Sequence, residues 1–570
     1  MKSFHAPSKL PAILILVCLL LAVTIGASQA VQHQVLTGYT GDAYADLVVG
    51  VPGENVSAGS SQVNEAGMLN VIYGAPLGLD AFYNQTFTQD MDYSDDRVEA
   101  EDQFGAALAS GDFNGDRLYD VAVGVPFENI TTAAGPQTSA GAVHVIYGAP
   151  SGGLSPAGNQ FWHQDSPDVS GSAEYSDHFG SALAAGNFNG DEYDDLAIGI
   201  PLEDFESAST IENAGSVIVL YGSVGGLSPS AVLPDQMWYQ GGNGINDQVE
   251  NHDWFGYALA SGDFDDDGYD DLAVGAPGED SEGPSGKDDI GVVHVLYGSS
   301  SGLSGDRDQQ WEQYDWDPAE SEANDRFGKS LAAGKFRWIT HDALAIGVPD
   351  EDIVVSTPTR TVVDAGAVNI LYGSASGLKD DTVDFIYQDG GYIEETAEYA
   401  DHFGQSLAAV DFNGNGIHKL VVGVPDENLG DPLVNDAGAV HVLTQSSGHY
   451  LGADLRYFHQ GRDNVPGELE PDANFGFSLA PGDFNGDGKQ DLGIGVPFGS
   501  CTASADGAVA VIYDDVWGSL ADIQPQRWCQ GNPLEDIGEA DDHFGTALAA
   551  LPAIDNPLTR VYLPISIRGE

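Results

Sequence analysis

The chain runs to 570 residues and sets 88 acidic side chains against 19 basic ones, a formal net charge of −69. So negative a surface repels nucleic acid and anionic membrane and attracts cations, which excludes the first two as partners. Several domains are the rule at this length unless one internal repeat fills the chain; here one does.

Lys2 and Lys9 precede an apolar run from Ala12 to Val23, and Ser28, Gln29 and Ala30 follow it. Positive charge, a short apolar stretch and small residues, in that order, read as a signal peptide over residues 1–30. The mature chain is therefore expected to be secreted or held at the cell surface, with no membrane insertion after cleavage. Cys18 falls inside the run without the small residues that precede a lipid-modified cysteine. The two remaining cysteines, Cys501 and Cys529, either pair as a disulfide in an oxidising compartment or stay as buried thiols.

From there a single unit recurs. Phe-Gly appears at Phe104, Phe179, Phe255, Phe327, Phe403, Phe475 and Phe544, at intervals of 69 to 76 residues. A Gly-x-Pro turn after an apolar stretch recurs as often, from Gly50–Pro52 to Gly495–Pro497. A third signal, Gly-x-Val-x-Val-x-Tyr-Gly and its variants, as at Gly141–Gly148, alternates with the period of two that marks a strand. The fourth is an aromatic residue two before a glutamine, at Phe87, Trp162, Trp238, Trp311, Phe458 and Trp528, with Ile386 in the same slot of one copy. Four short strands per unit, bounded by Gly, Asp and Pro, make an all-β chain and describe a propeller blade. The first unit lacks its Phe-Gly strand and the strand near Phe544–Ala550 lacks the rest of its unit. The fold expected over residues 31–550 is therefore a seven-bladed β-propeller of four-stranded antiparallel blades, closed by the C-terminal strand completing the first blade. Residues 551–570 fit no repeat.

Between the Phe-Gly strand and the Gly-x-Pro strand lies a nine-residue loop. Side-chain oxygens at positions 1, 3, 5 and 9, with a backbone carbonyl at 7 and glycine at 6, match the alternate-residue spacing by which loops wrap Ca2+. In chain order the second unit carries Asp112, Asn114, Asp116, Leu118 and Asp120, with Arg117 at the turn. The third carries Asn187, Asn189, Asp191, Tyr193 and Asp195, with fewer charges and Glu192 at the turn. The fourth is the fullest, with Asp263, Asp265, Asp267, Tyr269 and Asp271 around Gly268. The seventh follows with Asp483, Asn485, Asp487, Lys489 and Asp491 around Gly488. About four Ca2+ sites are expected. The fifth loop has Lys335, Arg337, Ile339 and Ala343 in place of every ligand, and the first retains only Asp42 and Asp46. The sixth, an incomplete fifth candidate site, keeps Asp411, Asn413 and Asn415 but puts Lys419 at position 9. Asp, Asn and Gly also build tight turns without metal, but turns alone do not require carboxylates at positions 5 and 9.

Phe-Gly, an acidic loop and Gly-x-Pro, ordered alike in seven copies over about residues 35–550, resemble the FG-GAP repeats of integrin α subunits and related bacterial secreted proteins. The resemblance implies calcium in hairpin loops on one face of the propeller and a protein or glycan ligand on the loops of the other. The chain starts in mid-unit and lacks the domain that some integrins insert between blades, which sets it apart from a complete integrin α subunit.

His178, His402 and His543 recur just before Phe-Gly, and His144, His294 and His441 on the third strand, so they read as packing or hydrogen-bonding positions. Asn55, Asn84 and Asn129 lie in glycosylation sequons. The loops after Gly-x-Pro, near residues 127–139, 203–214, 278–290, 350–364 and 426–437, vary while the strands stay regular, which is where a scaffold carries recognition. The expected function is a binding or adhesion module acting as a single propeller. The alternatives are a propeller-based hydrolase, since FG-GAP repeats also accompany a phospholipase D that cleaves glycolipid anchors, and a structural surface-layer component. With no nucleophile elbow, zinc-protease helix or phosphate loop, the chain is expected not to be an enzyme.

Overall fold

The computed structural model describes residues 44–550 apart from short stretches, the longest being 314–320, 444–455 and 514–522. The expected signal peptide and the tail from Leu551 lie outside the described residues. Seven four-stranded antiparallel sheets form the fold, and no α-helix occurs among the described residues. The second blade is representative, with strands Ala107–Gly111, Asp120–Val125, Ala142–Gly148 and Leu154–Trp162 in spatial order.

The first strands lie against one another around the axis, where space is least. They are built from Ala, Ser, Gly and Leu, as in ALASG at 107–111 and ALAAG at 182–186. Leu108, Leu183, Leu479 and Leu548 line an axial cavity of about 270 Å³. The second strands are covered on both faces by neighbouring blades, so DVAVGV at 120–125 is buried throughout and nearly continuous in apolar residues. Outer strands such as Leu154–Trp162 are half exposed and carry polar residues.

The ring closes as expected. Ala547–Ala550 pairs antiparallel with Leu47–Val51, with Leu47 opposite Ala550 and Gly50 opposite Ala547. Side-chain bonds seal the same junction: Leu79 N donates to Tyr513 Oη at 2.9 Å, and Gln526 Nε2 to the Leu79 carbonyl at 3.1 Å.

The two repeat signatures meet between blades. Phe179 of the third blade is wholly buried in one cluster with Val143 and Val145 of the second, a burial that stabilises by roughly 2–3 kcal/mol. Gly124, from Gly-x-Pro, has no room for a side chain, because a Cβ there falls on the carbonyl oxygen of Gly180, the Phe-Gly glycine of the next blade. The same approach joins Gly50 to Gly105 and Gly495 to Gly545. Among the described residues, four of the loops after Gly-x-Pro hold short hairpins of their own, such as Ile353–Ser356 with Thr359–Val362, which the alternation in the sequence does not announce.

Candidate metal hairpins and loop-face pocket

In the second to seventh blades the nine-residue loops join the first and second strands, so they share one face; the Phe-Gly and Gly-x-Pro ends share the other, here called the loop face. In the fourth blade Asp263, Asp265 and Asp267 bring one ligand atom each within 4.8 Å of the others. Asp267 N and Gly268 N donate to the two oxygens of Asp263, and Tyr269 N to Asp267 Oδ1, all at 3.1 Å. Asp271 is buried and accepts from Phe264 N and Gly298 N, both at 2.9 Å. Three hard-oxygen carboxylates on one tight turn fit a hard divalent cation. Arg307 Nη1 also reaches Asp265 Oδ2 at 2.9 Å, so a metal here has to share that carboxylate or displace the guanidinium.

The seventh hairpin repeats this turn. Asp487 N and Gly488 N donate to Asp483 at 3.0 and 2.8 Å, Lys489 N to Asp487 at 3.0 Å, and Asn485 Nδ2 to Asp491 at 3.2 Å. In the second, Asp116 N and Arg117 N donate to Asp112 at 3.0 and 2.8 Å, Asp116 N also reaches Asn114 at 2.8 Å, and Leu118 N donates to Asp116 at 2.9 Å. Arg117 takes the left-handed turn conformation, φ 69°, which glycine adopts more easily at Gly268 and Gly488. The third hairpin differs: Asn187 Nδ2 donates to the Asp191 carbonyl at 2.8 Å, and Asn189 Nδ2 to Asp195 at 3.4 Å, while Tyr193 N bonds Asp191 at 2.8 Å. Position 4 is left-handed in all four, at Gly115, Gly190, Asp266 and Gly486, a second turn residue that the nine-residue reading leaves out. Burial, opposed by the backbone amides and reinforced by nearby carboxylates, raises Asp120 to about 9 and Asp195 and Asp271 to about 8.

In the fifth hairpin a built-in cation stands at position 3. Arg337 lies over the Tyr372 ring at 3.2 Å and pairs with Asp384 at 3.4 Å, and Asp384 replaces the glutamine that bonds this tyrosine's counterpart in other blades. The sixth keeps the turn, with Gly416 N on Asp411 at 2.6 Å, Asn413 N on Asp411 at 3.3 Å and Ile417 N on Asn415 at 3.0 Å, but starts its second strand at Lys419. In the first, Asp42 lies outside the described residues, and Asp46 accepts from Gly74 N at 2.9 Å.

Position 8 is the functional residue of the hairpins that spacing misses. Asp194 Oδ2 accepts from Asp112 N at 2.8 Å while its own amide donates to the Asp112 carbonyl at 3.1 Å, clasping one hairpin to its neighbour. Asp270, Asp342, His418 and Gln490 do the same. A polar residue recurring just before position 9 was the available signal.

On the loop face a cavity of about 700 Å³ opens between the third, fourth and fifth blades, among Trp254, Tyr257, His178, His252, Arg326 and Lys329. The Arg326 guanidinium lies 5.9 Å from the Trp254 ring centroid, and Asp350 meets it at 3.5 Å and Lys329 at 3.1 Å. The buried Arg326 Nε has no hydrogen-bond partner among the described residues. Burial lowers the His178 pKa, which favours a neutral ring. Of these residues the sequence singles out His178 alone, as a packing or hydrogen-bonding position, and the others do not stand out because three blades contribute them. The third-strand histidines are buried, His144 between Phe104 and Phe161 and His441 between Phe403 and Tyr457. The structure also brings Cys501 and Cys529 together, with Cα atoms 6.2 Å apart and sulfurs in bonding contact.

Fold and hairpins together define a seven-bladed propeller with acidic turns on one face. Residues 104–146, 179–220, 255–296, 403–443 and 475–512 each match the FG-GAP repeat, and the seven-bladed propeller that contains them is similar to the FG-GAP propeller of integrin α subunits. It is 31% identical to integrin alpha-5 of Xenopus laevis over 208 residues, 36% of this chain and 16% of that one. It is 29% identical to integrin alpha-PS2 of Drosophila melanogaster over 221 residues, 38% of this chain and 13% of that one. The longest of these alignments is with human phosphatidylinositol-glycan-specific phospholipase D, 25% identical over 446 residues, 75% of this chain and 45% of that protein. The chain thus spans less than half the length of these relatives. The alignment corrects one expectation: a chain similar over three quarters of its length to part of an enzyme is not set outside the enzymes by missing local motifs.

Proposed function

We propose that the protein is a secreted or cell-surface propeller, stiffened by Ca2+ in its hairpins, that binds an extracellular ligand through the loop-face pocket. The ions would be held by Asp263, Asp265, Asp267 and Asp271 in the fourth blade and by the corresponding residues of the second, third and seventh. Bound there, Ca2+ neutralises carboxylates that burial otherwise disfavours and fixes the turn joining two strands. The disulfide between Cys501 and Cys529 belongs to the same extracellular setting.

The observation that carries the binding reading is the cavity itself, about 700 Å³ with an indole, a phenol, a guanidinium and an ammonium converging in a chain of charge −69. Aromatic faces suit the apolar face of a sugar ring or side chain, and the cations suit an acidic group. An acidic glycan is the ligand that uses both. Titration calorimetry in calcium with uronate-containing and neutral oligosaccharides checks this. Binding of the acidic series, weakened at least tenfold by Trp254→Ala, is expected; affinity indifferent to Trp254 refutes the pocket as the site.

The phospholipase alignment favours a second reading, a hydrolytic role on glycosylphosphatidylinositol. Release of a protein anchored in this way by the purified chain would support it, and no release above a heat-inactivated control would remove it.

A further inference from the structure

The glutamine two after each outer-strand aromatic residue has a role that neither the hairpins nor the pocket explains. At six of the seven blade junctions its Nε2 donates, at 2.5–2.8 Å, to a glutamate of the next blade, two residues after Gly-x-Pro. In each of those six blades an aspartate also stands two residues before Phe-Gly. Phe-Gly and Gly-x-Pro lie at the same end of the blade, so aspartate and glutamate meet on the loop face, far from the hairpins.

At the junction of the fifth and sixth blades Gln388 and Asp401 are 0% exposed and Glu427 is 1% exposed. Gln388 Nε2 donates to Glu427 Oε2 at 2.5 Å, and Glu398 N to Asp401 Oδ2 at 2.5 Å. That leaves Asp401 Oδ1 and Gln388 Oε1 buried without a hydrogen-bond partner among the described residues. Two buried carboxylates side by side are costly unless a counter-charge reaches them. A shared proton leaves one net negative charge buried between the two carboxylates, whereas a divalent cation balances both.

The spacing suits one ion. Between the first and second blades, one ligand atom each from Glu99, Asp102 and Glu128 lies within 4.8 Å of the others. That is about twice the 2.3–2.6 Å length of a calcium–oxygen bond. The seventh blade supplies an internal control, with Ala473 and Gly499 replacing both acids together while Gln460 stays. A glutamine–glutamate hydrogen bond alone gives no reason for the aspartate to be lost with the glutamate.

We propose that these six junctions are a second set of cation sites, each taking one Ca2+ between adjacent blades on the loop face. Crystals of the full chain grown with Tb3+ in place of Ca2+ test this by anomalous scattering. Peaks are expected beside Asp401 and Glu427 and at the five equivalent junctions, and none beside Ala473 and Gly499. Elemental analysis of calcium-equilibrated protein should show one ion fewer per chain for the D401N/E427Q variant. Asp267→Asn should instead affect only its own hairpin, which separates the two sets. A Tb3+ map without peaks at the junctions overturns the proposal whatever the hairpins show. So does an unchanged ion count in a D401N/E427Q chain with native circular dichroism.

Discussion

His441 shows how a single residue records its surroundings. It sits on a third strand, 0% exposed, with ring centroids of Phe403 and Tyr457 at 5.6 and 4.7 Å and no hydrogen-bond partner on either nitrogen among the described residues. Burial, with the Arg462 charge adding to it, lowers its pKa from 6.5 to about 3. A folded-state pKa below the unfolded one means that the unfolded chain binds the proton first. The stability this residue allows is therefore complete above pH 6.5 and is lost as pH falls toward 3. His441→Phe keeps a ring of similar size and removes the penalty. Urea midpoints should show the variant gaining on the parent by about 2 kcal/mol between pH 7 and pH 5. A difference that does not change with pH contradicts this account. The sequence marked this position as packing because the same slot holds histidine in three blades. It did not mark Trp254, Arg326 or Lys329, which share a cavity only once three blades are in place.

The hairpin is the element most fully written in the sequence, since its turn and donors fall within nine residues. Fourth and seventh hairpins hold position 1 by two backbone amides around a glycine turn, whereas the third opens with Asn187, whose amide nitrogen is turned onto the Asp191 carbonyl. Metal affinity should follow charge count and turn geometry, tightest in the fourth and seventh and weakest in the third. Ligand that binds only the folded chain stabilises it by about 2.7 kcal/mol per site at a hundredfold excess over Kd. Chelation should therefore lower Tm by several degrees, and Asp267→Ala should reproduce part of that drop in calcium while losing one ion by mass spectrometry. A Tm unaffected by chelator removes the hairpins from any stabilising role. The clasp at position 8 escaped the nine-residue reading because the partner of Asp194 is the backbone of Asp112, a whole blade away.

Ring closure is a property of the whole molecule, and it was legible because the two ends of the chain carry complementary halves of one unit. What sequence could not show is how many separate bonds the last junction holds. The strand Ala547–Ala550 pairs with Leu47–Val51, Gly545 N bonds the Gly50 carbonyl at 3.2 Å, and Ala45 N bonds the Asp483 carbonyl at 2.8 Å. Tyr513 and Gln526 hold Leu79, and Gln530 Nε2 meets Glu54 at 2.6 Å. Most of these join the first and seventh blades directly and survive removal of the last strand, but that strand alone covers the edge of Leu47–Val51. A chain ending at Asp542 should keep six complete blades and expose one unpaired, wholly apolar edge. Such an edge templates association with other chains. The truncated protein should thus melt at a lower temperature than the full chain and elute as oligomers on size exclusion, with its far-ultraviolet circular dichroism largely retained. A monodisperse truncated chain with unchanged Tm would mean that side-chain bonds between the seventh and first blades hold the ring closed without the strand.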